Sequence, residues 1–415
     1  MRKSDAMRIW LTRSFKPFLF LGEADEELRF RDVKKLGLYI HVPFCETICG
    51  FCPYCKCPYD REKADRYIDA LLLETEMVAG RGEGRAEATS LYFGGGSPAL
   101  AHGRMAEIIE AVRKRFRITE GIGVELHPRE VNEEILSSLK RAGVSKISVG
   151  MQSFHEGCLS FLGRPSHDIP AMRAALEKTP FETVSIDLIF AMPGQTFETL
   201  KRDVDTAFAI GANHVALYPF IDFSFADKHA APVAGREKKA LLYRIVEYCE
   251  SRGCHRTSIW TFSRDGGVYS SMTRDNFLGF GCSATSLLMD RFKINTFSVD
   301  EYIKRCESGR LPTSLTLRFT RRQRMVYYLF WTAYGTRIDP RGFETFFGVP
   351  LEKEYGFEML LARAAGLIER KNGIYELTRR GVYYYHYFEQ FYTLAYIDKM
   401  WGIMRETPFP ERITL

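Results

Sequence analysis

Residues 36–57 read LGLYIHVPFCETICGFCPYCKC. The apolar run from Leu36 to Val42 stops at Pro43 and gives way to a segment crowded with thiols, which predicts a strand followed by a metal-ligating loop. The chain has ten cysteines, and five of them, Cys45, Cys49, Cys52, Cys55 and Cys57, fall here. In a reducing compartment such crowding points to metal rather than disulfides. Cys45, Cys49 and Cys52 are spaced so that three thiolates on one loop can hold three irons of a cuboidal cluster and leave the fourth open to a chelating ligand. Structural zinc sites usually pair two CxxC knuckles from separate segments, and no second knuckle occurs. A structural zinc or a group of reactive thiols is the alternative on spacing alone.

Outward from this loop the chain alternates short apolar strands with helix-period segments. LGLYIHV, ATSLYFG, GVELH, SKISVG, TVSIDLIF and HVALYPF are the candidate strands. Between them ADRYIDALLLETEMVAG and RMAEIIEAVRKRF have amphipathic helical spacing. This predicts an α/β fold, a partial (β/α)6 TIM-like barrel with parallel strands, right-handed crossovers and chemistry at the strand carboxyl ends. After about residue 310 the pattern becomes helix, helix and a hairpin with Asn-Gly at its turn, expected as a winged-helix-like domain over 311–385. Residues 1–35 read as an N-terminal extension, 36–310 as the barrel and its closing segment, and 386–415 as an aromatic helical tail packed on the body.

Composition narrows the function classes. The chain has 415 residues, 46% hydrophobic and 27% charged, so it should fold around at least one large core. Its net charge of +6 is the small remainder of 58 basic and 52 acidic residues, which predicts no strong attraction to nucleic acid or membrane. Arg13, Lys16 and Pro17 interrupt the first apolar stretch, so no signal peptide is expected. No apolar run approaches the roughly 20 residues of a bilayer span. The expected location is cytoplasmic.

The CxxxCxxC spacing resembles the signature of the radical SAM superfamily, and YIHVPFCETICGFC resembles the opening motif of its HemN-like branch, the oxygen-independent coproporphyrinogen III oxidases and their relatives. The resemblance runs over about residues 36–385. It implies a [4Fe-4S] cluster on Cys45, Cys49 and Cys52 that chelates S-adenosylmethionine and cleaves it reductively to a 5′-deoxyadenosyl radical, with an electron donor such as flavodoxin or ferredoxin. It also implies cofactor contacts from Gly95, Gly96 and Ser97 in YFGGGSP, Glu125 in GVELH, Gln152 in VGMQSF, Arg164 in LGRPSH and Asp187 in SIDLIF. Tyr39 and Phe51 match positions that flank the cluster and adenine. Gly279 and Gly281 in NFLGFGCSATS match a segment that closes over the cofactors, for which a buried turn is the plainer explanation. His127 stands where the oxidases carry an acidic residue, as a proton donor or as a hydrogen-bonded loop histidine. Cys55 and Cys57 lie outside the motif, because relatives with a fourth cysteine place it one residue past the third ligand, and here Pro53 and Tyr54 intervene.

Met272 stands where the decarboxylating oxidases carry a glutamine associated with a second S-adenosylmethionine. That departure keeps the radical-generating half and turns the expectation away from decarboxylation. The leading expectation is therefore a HemN-like enzyme acting on a hydrophobic or aromatic small molecule, with methyl or methylene transfer from a second S-adenosylmethionine as in class C methyltransferases. Oxidative decarboxylation of a tetrapyrrole and a haem-chaperone role are the alternatives. DNA reading by the winged helix is disfavoured, since LEKEYGFEMLLARAAG sets Glu352, Glu354 and Glu358 against Lys353 and Arg363.

Overall fold

Apolar runs with few polar interruptions suit strands covered on both faces. In the computed structural model, which describes residues 3–22, 30, 33, 35–80, 85–226, 230–231, 233–267, 269 and 275–415, strand β1 (Leu36–Val42) is buried at every position but Tyr39. There follow α1 (Arg61–Ala79), β2 (Ser90–Gly95), α2 (Met105–Arg115), β3 (Ile122–Leu126), α3 (Glu133–Ala142), β4 (Lys146–Gln152), α4 (Glu156–Leu162), α5 (Ile169–Lys178), β5 (Thr183–Phe190), α6 (Phe197–Ala209) and β6 (His214–Pro219). These six strands lie side by side in chain order, each parallel to the next. That is the expected (β/α)6 succession. Helix starts are set locally: the side chains of Asp60, Asn132, Asp168 and Thr196 each accept an N–H of the first turn.

After α7 (Gly235–Ser251), a seventh parallel strand, β7 (Asn276–Phe280), joins the outer side of β1 and sets Gly279 opposite Tyr39. The segment expected to close over cofactors is thus partly a sheet strand, and Gly279 falls inside it. The sheet continues antiparallel through β8 (Thr285–Leu288), β9 (Arg291–Asn295) and, after α8 (Val299–Glu307), β10 (Thr313–Arg318). Leu19–Leu21 pairs with both β10 and Arg412–Thr414, so the expected extension and the chain end complete one 14-stranded sheet. Met272 lies outside the described residues.

The second unit contains α9 (Arg321–Tyr334), α10 (Pro340–Phe347), α11 (Leu351–Ala364) and the hairpin β11 (Ile368–Lys371) and β12 (Ile374–Leu377). Its own core gathers Tyr328, Phe343, Leu351, Tyr355 and Ile368. At the hairpin tip Asn372 and Gly373 take φ of 49° and 83°, the left-handed pair an Asn-Gly turn supplies. Helix α10 has no counterpart in the sequence reading, and two expected boundaries move. Strand β10 belongs to the main sheet, and α12 (Arg379–Tyr392) crosses residue 385 unbroken before passing through one wide turn into α13 (Asp398–Glu406). Val382, Met400 and Met404 of these last helices are buried in the barrel core. Among the described residues no helix is long and apolar enough to cross a membrane.

Candidate functional site

The carboxyl ends of β1 to β6 open onto a cavity of about 860 Å³. Cys45, Cys49 and Cys52 line it, all three free and half-buried. Pro43 and Phe44 turn the chain off β1, and the loop returns through a short parallel pairing of Phe44–Cys45 with Cys57–Pro58. Lys56 Nζ holds the loop by donating to the carbonyls of Cys49 at 2.8 Å and Cys52 at 2.6 Å. Burial and the neighbouring thiols push Cys45 up to about 12, and burial raises Cys52. Thiols brought together away from water favour the proton unless a cation takes its place. This donor set fits an iron cluster: three free thiols on one loop, a positive residue beneath it, and open cavity on the remaining side.

The strand-end polar residues converge on the same wall. Glu125, at the end of β3, accepts the Gly95 amide at 3.2 Å, and burial raises its carboxyl. Asp187 of β5 accepts the Ser148 hydroxyl at 2.9 Å, and burial followed by the Glu125 charge raises it to about 7. Two desolvated carboxyls with no cation bonded to them among the described residues make this end of the cavity receptive to a positively charged group. Gln152 ends β4 at φ 70°, a left-handed conformation unusual for a non-glycine residue and frequent at functional sites. Arg164 reaches back to β4, with Nη1 donating to the Gly150 carbonyl and Nε 3.4 Å from Cys49 Sγ. Its guanidinium stands 5.8 Å from the centre of the Phe51 ring. Tyr39 stacks beside Tyr92 and meets His41 Nδ1 at 3.1 Å.

Gly95, Gly96 and Ser97 of the glycine-rich turn all line the cavity. A Cβ on Gly95 would sit 2.7 Å from the His41 ring, and one on Gly96 would strike the Pro43 and Phe44 carbonyls. The absence of side chains there is required by the protein's own packing. Ser97 directs its hydroxyl to Glu130 rather than into open space. Gly279 and Gly281 do not line the cavity. A Cβ on Gly279 would meet the Thr285 carbonyl at 2.2 Å, and one on Gly281 the His41 carbonyl at 2.5 Å. The Gly281 amide donates to buried Glu74 at 2.7 Å. Both glycines bring β7 close to its neighbours.

His127 begins a short 3-10 turn, its Nδ1 accepting the Arg129 amide at 3.3 Å while Glu130 accepts its own amide at 2.8 Å. Burial and the positive charges of Arg164, His167 and Arg129 push its pKa down to about 3. It is neutral at physiological pH, which supports the loop reading. The sequence reading did not single out Glu130, Lys56 or the aromatic part of the wall, where Tyr218, Trp260, Trp331 and Tyr334 come from β6, the segment before Thr261–Ser263, and α9. Only the dense aromatics of α9 and the tail hinted at that wall. Arg405 of α13 donates to the carbonyls of Pro53 and Tyr54, so the chain's last helix grips the cysteine loop.

A parallel β/α half-barrel with a three-cysteine loop at the carboxyl end of its first strand defines the class, and residues 39–207 match the Radical SAM superfamily. That match spans the barrel from its first strand into α6, and the relatives of the chain include HemW and HemN-like proteins. It is 26% identical over 362 residues to the heme chaperone HemW of Bacillus subtilis, covering 83% of this chain and 95% of that one. It is 28% identical over 308 residues to the oxygen-independent coproporphyrinogen III oxidase of Cereibacter sphaeroides, covering 67% and 68%. Its fold matches coproporphyrinogen III oxidase (HemN) from Escherichia coli with a TM-score of 0.76 at 20% identity, over 92% of this chain and 97% of that one. The superfamily uses a [4Fe-4S] cluster and S-adenosylmethionine.

Proposed function

We propose that this chain is a HemN-like radical SAM enzyme acting on a planar, tetrapyrrole-type small molecule. The observation that carries the reading is one cavity shared by the three-cysteine loop, a desolvated carboxyl pair and an aromatic wall. Cys45, Cys49 and Cys52 would hold the cluster, and the bound cluster with S-adenosylmethionine supplies a carbon radical able to take hydrogen from an unactivated C–H bond. Glu125 and Asp187 offer negative charge to the cationic cosubstrate. Arg164 puts positive charge against the cysteine loop, and Gln152 and Tyr39 present hydrogen-bonding groups beside it. The aromatic wall of Tyr218, Trp260, Trp331 and Tyr334 excludes water and offers ring faces to a flat substrate.

The test is anaerobic reconstitution with iron and sulfide, followed by reduction with S-adenosylmethionine and a tetrapyrrole. Production of 5′-deoxyadenosine that disappears in Cys45→Ala, Cys49→Ala or Cys52→Ala supports the reading; an intact cluster that never cleaves S-adenosylmethionine overturns it. Accompanying S-adenosylhomocysteine would assign methyl or methylene transfer, and loss of carbon dioxide from the substrate would assign decarboxylation. Flavodoxin and ferredoxin are the reductants to try first. A second reading, haem transfer, is favoured by the extent of the match to HemW. Stoichiometric haem binding in difference spectra, without 5′-deoxyadenosine, would establish it instead.

A further inference from the structure

Beside the three cluster cysteines the structure gathers a second set of metal-type donors, two from the segment around the cysteine loop and one from far along the chain. His41 ends β1, Cys55 lies past the cluster cysteines, and Cys282 follows β7. Their exposures are 3%, 6% and 0%, and one donor atom from each lies within 4.8 Å of the other two. We propose that His41, Cys55 and Cys282 form a second metal site, for a thiophilic divalent cation of the zinc type.

Three features of the geometry support a cation there. The Cys55 and Cys282 sulfurs are 3.8 Å apart. Two thiolates on tetrahedral zinc, each about 2.3 Å from the metal, stand roughly 3.8 Å from one another, whereas a disulfide requires about 2.05 Å. His41 Nε2 lies 2.9 Å from the Cys55 carbonyl. A carbonyl only accepts, so Nε2 carries the proton and Nδ1 accepts the Tyr39 hydroxyl at 3.1 Å; a cation at Nδ1 would take the place of that hydroxyl proton, with the Cys55 carbonyl orienting the ring from the far nitrogen. Finally, two thiolates, a neutral imidazole and a divalent cation sum to zero charge, which suits a site with almost no solvent contact.

Cys55 Sγ lies 3.1 Å from the Phe297 carbonyl, a contact a thiol makes by donating its proton. Binding therefore replaces two thiol protons, one from each cysteine, which leave to solvent as the two metal–sulfur bonds form. The cation would tie the cysteine loop to the end of β1 and the turn after β7. Its existence does not depend on the radical reading.

The test uses the full chain with Cys45→Ala, Cys49→Ala and Cys52→Ala, so that no iron–sulfur cluster assembles. After chelator treatment it is titrated with cobalt(II) and then zinc. One cobalt per chain, with thiolate-to-metal charge-transfer and tetrahedral absorption bands bleached by zinc, is the expected result. Adding Cys282→Ala should weaken binding at least tenfold with the circular dichroism unchanged. Absence of thiolate bands in a folded chain overturns the site, as does a Cys55–Cys282 disulfide in anaerobically prepared protein. If the triple variant does not fold, metal analysis of the reconstituted unaltered chain decides. It should hold one zinc besides its iron, and Cys282→Ala should keep the iron and lose the zinc; retention of both overturns the proposal.

Discussion

Arg164 sets its Nε 3.4 Å from the sulfur of Cys49, while the same guanidinium is fastened to the Gly150 carbonyl at the end of β4. A fixed positive charge therefore faces a thiol of the cysteine loop, where it favours the more negative state of any cluster held there. Arg164→Gln is expected to make a reconstituted cluster harder to reduce, by roughly 60 mV, equivalent to about 1.4 kcal/mol for one electron. An EPR-monitored redox titration measures the shift. An unchanged potential would show that solvent screens the guanidinium from the cluster.

Glu74, fully buried on α1, accepts the Gly281 amide, the Tyr302 hydroxyl and the Asn295 side-chain amide, each at 2.7 Å. Glu74→Ala strands three buried donors and should cost at least about 3 kcal/mol of stability. The check is the midpoint of denaturant unfolding, with Glu74→Gln falling between the two. A loss below about 1 kcal/mol would mean that water reaches the freed donors.

His386 packs edge-on against Trp260 at 4.5 Å, and burial followed by the Lys238 charge lowers its pKa to about 3. The unfolded chain, with histidine near 6.5, binds a proton that the folded chain refuses between these values. Stability from this group is thus complete above about pH 6.5 and is lost as pH falls toward 3, at about 1.4 kcal/mol per unit. His386→Phe, which keeps the aromatic contact, should shrink the stability difference between pH 7.5 and pH 5 by about 2 kcal/mol. Equal pH slopes in the two proteins would refute the linkage.

Arg405 fastens α13 to the cysteine loop through the Pro53 and Tyr54 carbonyls, and its guanidinium also lies 4.5 Å from the centre of the Phe225 ring. Arg405→Ala should cost about 1–2 kcal/mol in global stability. Its larger effect should be kinetic: iron is expected to leave the reconstituted protein several-fold faster in the presence of a chelator. Identical release rates would mean that the loop holds its shape without the tail.

Reading the chain alone recovers the barrel strands and picks out the three-cysteine loop because both are written over a few adjacent residues. Leu36–Val42 is apolar enough to be covered on two faces, and Cys45, Cys49 and Cys52 sit within one turn of loop. The strand Asn276–Phe280 escapes notice because Gly279 breaks its apolar run, and it pairs with β1 across more than half the chain. Gly95 likewise reads as a place for a ligand, although what demands the missing side chain is the His41 ring. Meetings of this kind, Cys55 with Cys282, Arg405 with Tyr54, Glu74 with Asn295, leave no periodic trace. Local pattern reports which face of an element avoids water; which distant residue arrives at that face depends on the crossovers that close the sheet, and those exist only once the whole chain has packed.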